Sequence, residues 1–230
     1  MHALNILAWV GAAISWWGTI RYMIEIGRSN TQPRLASWIA WGTANSVLMI
    51  VALLNHNQMA AIFNGLAALG NISVLALSAV RHAGERPDNP TDWTCLSAAG
   101  LCLLAILMFP HMSYLDAILA MTANVIATWP TLQHAWQRPT EEAWQLFAAN
   151  GGANMLGLVS VIAAAGMSLA NIAGPLISML GNVCLVIITV GRGWLTNVTQ
   201  EVQEEIVEAE QYIAKLEQTA ETEQVDRQAS

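Results

Sequence analysis

Two stretches of this chain, 35–80 and 143–191, contain no Asp, Glu, Lys or Arg. They run for 46 and 49 residues, and each is long enough for two membrane spans at ~20 residues apiece. Globular domains carry about a quarter charged residues; here the share is 11%, too little to clothe a water-facing surface of this size. The charge is also unevenly placed. Of 25 charged residues, 11 lie in 194–230, and the remaining 193 residues carry seven Arg against seven acids. The net charge of −7 therefore belongs to the tail. A soluble domain and a nucleic-acid binder are both excluded by this distribution, which is that of a polytopic membrane protein.

Apolar runs separated by Gly-, Pro- and Asn-rich breaks predict seven spans near 3–26, 34–54, 58–80, 92–109, 113–137, 141–165 and 168–191. No Lys or Arg precedes the first run, and it outlasts a signal-peptide core, so it is expected to remain as the first span. Arg21, Arg28, Arg34, Arg81, Arg86, Arg138 and Arg192 all fall at the first, third and fifth connections or the end of the last span. The positive-inside rule then predicts an outer N-terminus and a cytoplasmic C-terminus, with a bacterial inner membrane as the expected location. Trp38, Trp93, Trp136, Trp144 and Trp194 read as an aromatic belt at the cytoplasmic boundary.

In the tail, Val202, Ile206, Ala209, Ile213 and Leu216 follow heptad spacing. This predicts a cytoplasmic amphipathic helix: either a short coiled coil that makes a homo-oligomer or holds a protein partner, or a solvated extension of the last span. Cys95, Cys102 and Cys184 have no ligand spacing. Outer-side His2, His56 and His111 have no fixed spacing for a metal. No cofactor is expected.

The chain also repeats itself. Leu69-Gly70-Asn71-Ile72-Ser73 matches Leu180-Gly181-Asn182-Val183-Cys184 at an offset of 111. Thr43-Ala44-Asn45 matches Gly152-Ala153-Asn154 at 109, and Trp17-Gly18-Thr19-Ile20 matches Trp129-Pro130-Thr131-Leu132 at 112. Three matches in the correct order predict two three-helix units, with the fourth span as the linker between them. An odd linker makes the two units run the same way across the membrane. The expected fold class is thus an all-α membrane protein of seven transmembrane helices, in two parallel three-helix bundles joined by a linker helix. The expected divisions are 1–80, 81–112, 113–193 and the acidic tail 194–230.

This order of parts resembles the SWEET and PQ-loop transporter superfamily, over roughly 3–193. Pro130-Thr131 stands where that family has its Pro-Gln pair, and Gly18-Thr19 is its partner in the first span. Arg28, Thr31, Pro33 and Ser37-Trp38 are similar to the basic, Ser/Thr-containing turn that follows the pair. The resemblance implies a 3+1+3 transporter fold with a proline hinge at Pro130.

Asn45, Asn71, Asn154 and Asn182 each lie roughly 11–13 residues into a span, near mid-bilayer at ~1.5 Å per residue. An amide offers both a donor and an acceptor without a formal charge, which suits a small neutral polar solute. The same residues can also serve as interhelical glue. Trp17 and Trp129 could stack on a sugar or aromatic ring, and Asn124 and Asn150 are secondary lining residues. Asp116 could couple transport to protons, although an acid in the first turn of a helix is also stabilised by the helix dipole. The only lysine is Lys215 in the tail, so no retinal Schiff base can form in a span. No nucleophile–base set, phosphate loop or HExxH helix is present, and an enzyme is not expected. The leading expectation is a facilitative transporter of a small neutral polar solute such as a sugar, vitamin or nucleoside. The rival is a non-transporting membrane subunit or scaffold that works through its tail.

Overall fold

The computed structural model describes residues 2–54, 58–109, 113–165, 167 and 169–229. Among these residues the chain forms seven α-helices and no strand. They are α1 (His2–Gly27), α2 (Leu35–Leu54), α3 (Gln58–Arg81), α4 (Pro90–Met108), α5 (Ser113–Gln137), α6 (Trp144–Ala165) and α7 (Leu169–Ala229). A single 3-10 turn, Pro139–Glu141, precedes α6, so that helix starts three residues later than its apolar pattern predicts. Segments of α2, α3, α4, α6 and α7 are long and apolar enough to cross a membrane. The chain therefore has the helical build of an integral membrane protein. The helices α1 and α5 are 26 and 25 residues long but interrupt their apolar faces with Arg21, Glu25, Asp116 and His134.

Contacts divide the chain into two compact units, Met1–Val190 and Gly191–Ser230. In the first, α1 packs on α6 and α3, while α2 packs on α3, α4 and α5. The helix α4 also covers α5. It begins at a well-made cap: the Asn89 side chain accepts the Asp92 N–H at 2.8 Å, and Pro90 sits in the first turn. Such a cap contributes about 1 kcal/mol.

The two principal seams are built from small residues. On α1, a Cβ placed on Gly18 would stand 2.5 Å from Ala149 Cβ of α6, and one on Gly11 would meet the Ala153 carbonyl at 3.1 Å. On α5, Ala123 and Ala127 pack with Ala40, Ala44 and Val47 of α2, covered by Ala99, Leu103 and Ile106 of α4. Close helix approach through small side chains maximises van der Waals contact where lipid offers no hydrophobic gradient. A second core lies at the end that carries the Arg-bearing connections and joins Tyr22, Ile26, Trp38, Val74, Phe147 and Leu185. Trp38, expected in the boundary belt, is only 3% exposed and stacks on Tyr22 at 5.1 Å instead. Trp93, Trp136, Trp144 and Trp194 are exposed.

Two connections are tied together by backbone. Leu35 N–H donates to the Glu85 carbonyl at 3.1 Å, and Glu85 N–H donates to the Pro33 carbonyl at 3.0 Å. Gly84 makes this approach possible. Its φ is +112°, and a Cβ there would lie 2.9 Å from the Pro33 oxygen.

In the second unit, Val202, Ile206 and Ile213 are 49%, 46% and 54% exposed. The apolar stripe read from the sequence is uncovered there. The side chain of Leu216 lies outside the described residues.

Candidate functional site

Two of the four asparagines, Asn71 and Asn182, lie in matched settings. Gly42 of α2 faces Asn71 of α3, where an added Cβ would meet the Asn71 Cβ at 3.6 Å and Ile72 Cγ1 at 4.0 Å. Gly151 of α6 faces Asn182 of α7, with the Asn182 Cβ at 3.6 Å and Val183 Cγ2 at 3.9 Å. A Cβ added to Gly70 would meet Thr19 Cγ2 at 3.5 Å, and one added to Gly181 would meet Thr128 Cγ2 at 3.7 Å. The same contacts are thus made twice, between different helices. Thr19 and Thr128 each donate to the carbonyl four residues back, Ser15 and Asn124.

This geometry corrects one sequence match. In α1 and α5 the corresponding residues are Thr19 and Thr128, an offset of 109, so Trp17 is not the counterpart of Trp129. A three-residue slip rotates the comparison by ~300° around a helix. The two indoles are 55% and 54% exposed. Trp17 shares its side of α1 with exposed Ile20 and Ile24, and Trp129 its side of α5 with exposed Val125.

Asn45, Asn154 and Asn182 donate to the carbonyls of Trp41, Asn150 and Ser178, one turn back on their own helices, at 2.7–2.9 Å. All four asparagines are half-buried. Asn150 bonds between helices: its Oδ1 accepts the Ser15 hydroxyl of α1 at 2.6 Å. Asn124 donates from α5 to Ser178 Oγ of α7 at 3.3 Å, and Trp41 Nε1 donates from α2 to Thr128 Oγ1 of α5 at 3.4 Å. These polar bonds lie at the seams between α1 and α6, α5 and α7, and α2 and α5. A shallow hollow of about 420 Å³ is lined by Trp93, Thr94, Ser97 and Leu101 of α4 and includes none of the asparagines.

Pro130 is buried within α5 and has no N–H to give the helix. The next N–H, of Thr131, donates to Ser37 Oγ of α2 at 3.2 Å. Asp116 lies in the first turn of α5 and is half-buried. His56 and His111 lie outside the described residues, as does the side chain of His2.

Compared with known protein families, characterised proteins and solved structures, the chain matches none.

A group that the sequence reading passed over gathers where the connections meet. Arg34 is 9% exposed and pairs with Glu85, with Asp88 at 3.4 Å and with Asp92 at 2.6 Å. Arg138 binds Glu85 at 2.7 Å and approaches Glu141 at 3.6 Å. His134 sits between carboxylates, with Nδ1 3.4 Å from Glu85 and Nε2 3.5 Å from Glu141. Tyr22 donates to Glu142 Oε2 at 3.0 Å. Glu142 lies in the connection ahead of α6 and is fully buried. Burial pushes its carboxyl up to about 8; the Tyr22 hydroxyl acts in the opposite direction, while the charges of Glu141 and Glu85 raise it further. One signal for this cluster stands in the sequence: five of the seven acids outside the tail fall in 85–92 and 141–142, the same connections that carry the arginines.

Proposed function

We propose that this protein is a seven-span carrier of a small neutral polar solute. In this reading two parallel three-helix bundles, α1–α3 and α5–α7, are joined by α4 in the 3+1+3 order of the transporter superfamily the sequence resembles. The N-terminus faces outward and the C-terminus the cytoplasm, in a bacterial inner membrane. The observation that carries the proposal is the doubled approach of Gly42 to Asn71 and of Gly151 to Asn182, where a Cβ added to either glycine would meet the asparagine Cβ at the same 3.6 Å. Two like-built halves that meet along α1–α6 and α2–α5 can rock against each other while each stays rigid, which is the requirement of alternating access. Asn45, Asn71, Asn154 and Asn182 supply the amides that exchange solute for water, with Asn124 and Asn150 at the seams. Three of the four spend an amide N–H on their own helix, so the free carbonyl oxygen is the group left to receive a solute hydroxyl. Trp17 and Trp129 offer stacking faces, and Pro130 is the hinge: a helix short of one hydrogen bond bends there more easily.

Uptake into proteoliposomes tests the site. Asn71→Leu and Asn182→Leu should each abolish flux while the protein still inserts and purifies as wild type does. Unchanged flux in both removes the assignment. Asp116→Asn should leave the pH dependence of flux unaltered if the carrier is facilitative, and should change it if the carrier is proton-coupled.

One observation favours a second reading, a scaffold that holds a partner or a second copy. The stripe Val202, Ile206 and Ile213 is exposed at the spacing of a coiled-coil seam. Removal of 196–230 separates the readings: a carrier retains flux, whereas a scaffold loses its complex on native gels.

A further inference from the structure

Three buried polar atoms near the α5 terminus lack a hydrogen-bond partner: His134 Nε2, Glu141 Oε2 and Glu142 Oε1. They converge. Nε2 lies 3.5 Å from the Glu141 oxygen and 4.0 Å from the Glu142 oxygen. The side chains of His134 and Glu142 are 3% and 0% exposed, so water does not reach their unpartnered atoms from outside, while the Glu141 side chain is 31% exposed. Buried polar groups are almost always satisfied, and three unsatisfied ones gathered around one imidazole nitrogen mark a place for something that they can bind.

The spacing fits one ion. Ligands that stand ~2.0–2.2 Å from a tetrahedral cation lie ~3.3–3.6 Å from each other. The first distance is already in that range, and the second is reached by a few tenths of an ångström of movement. The far side of the imidazole is also prepared. Glu85 faces Nδ1 at 3.4 Å, and Arg34 and Arg138 hold Glu85 in turn. A carboxylate behind the ring fixes the tautomer of a metal-bound histidine. Glu85, His134 and Glu141 bring ligand atoms within 4.8 Å of one another. Finally, Glu85, Asp88, Asp92 and Glu141 outnumber the two guanidiniums that face them, and a dication reduces the surplus negative charge.

We propose that His134 Nε2, Glu141 and Glu142 bind one divalent transition-metal cation of the zinc–manganese class, with Glu85 as the carboxylate behind the imidazole. One imidazole with carboxylates and no thiolate suits these ions. The bound ion would fasten the end of α5 to the turn and connection that lead into α6, and Glu85 would bring the α3–α4 connection to the same point. The inference does not depend on what the protein carries.

The test uses the full chain, purified in detergent, stripped with EDTA and titrated with Zn2+ and separately with Mn2+. One ion should bind per chain and raise the thermal transition. His134→Gln and Glu141→Gln should weaken binding by about tenfold or more, while Glu25→Gln, which lies outside the cluster, should bind as wild type does. Co2+ added to the unaltered protein should give visible absorption bands that differ from those of the hydrated ion, a readout that requires no variant to fold. Binding that is not saturable, a Co2+ spectrum of the hydrated ion, or equal affinity in His134→Gln and wild type would each overturn the proposal. A cluster that takes up only protons leaves Co2+ with the spectrum of the hydrated ion.

Discussion

The asparagine positions and the buried charge cluster solve opposite problems. Asn45, Asn154 and Asn182 satisfy their amide N–H groups within their own helices, one turn back. Those bonds need nothing from the rest of the fold. Arg34, Glu85, Asp92 and Arg138 come from four separate parts of the chain and satisfy one another only once the tertiary structure is in place, with His134 and Glu142 gathered beside them. The first arrangement leaves helices free to move as bodies; the second fastens their ends. A protein that moves between states needs both, and it should be far more sensitive to damage in the cluster than at the seams.

The strongest expected effect is at Arg34. Arg34→Ala leaves Asp92, 2% exposed, as a buried charge without its partner, and should cost about 3–5 kcal/mol in detergent melts. If Asp92→Asn restores most of that loss in the double variant, charge burial is the cause; a loss that persists would mean that Arg34 acts by packing.

Glu142 provides the next test, with chelator present throughout. Its folded carboxyl titrates near 8 against an ordinary value of 4.5, so the folded state holds the proton more tightly than the unfolded one. Its contribution to stability is complete below 4.5 and is lost as pH rises through 8. Between pH 5.5 and 7.5 wild type should therefore lose stability by up to about 1.4 kcal/mol per pH unit, whereas Glu142→Gln should have a flatter profile. Parallel profiles would show that the carboxyl stays ionised.

The seams should give the smallest effects. Gly18→Ala drives a methyl to 2.5 Å from Ala149 and should cost ~1–3 kcal/mol through overpacking. Gly42→Ala and Gly151→Ala meet only ordinary contacts at 3.6 Å. Each should stabilise by roughly 0.5–1 kcal/mol, and by similar amounts. Effects of opposite sign in these two would break the equivalence of the halves.

The contrast also explains what could be read from the chain. Helix positions were legible because apolar length is a local property, and the Asn71 and Asn182 match was legible because Gly-Asn pairs in a seam are constrained on both sides. The Trp17–Trp129 match failed because a large exposed side chain is conspicuous but unconstrained, while Thr19 and Thr128 are small and sit where Gly70 and Gly181 approach. The charge cluster was hidden for another reason. Tyr22 and Glu142 are 120 residues apart, and Gly84 brings the α3–α4 connection against Pro33 through a backbone conformation that residue spacing does not reveal. Buried Trp38 is another case: its helix-end position suggests a lipid boundary, and only the stacking of Tyr22 shows that the end is covered.

The packing of α1 on α6 has a consequence for biogenesis. In the seven-span reading, the first helix enters the bilayer long before its main neighbour, which starts at Trp144, has been translated. Throughout that interval Thr19 already has its bond to the Ser15 carbonyl, and the surface around Gly11 and Gly18 is bare enough to lie against acyl chains without strain. The Ser15 hydroxyl waits for a late-arriving residue, Asn150, as the Tyr22 hydroxyl waits for Glu142, so these two bonds can close only once the chain has reached α6.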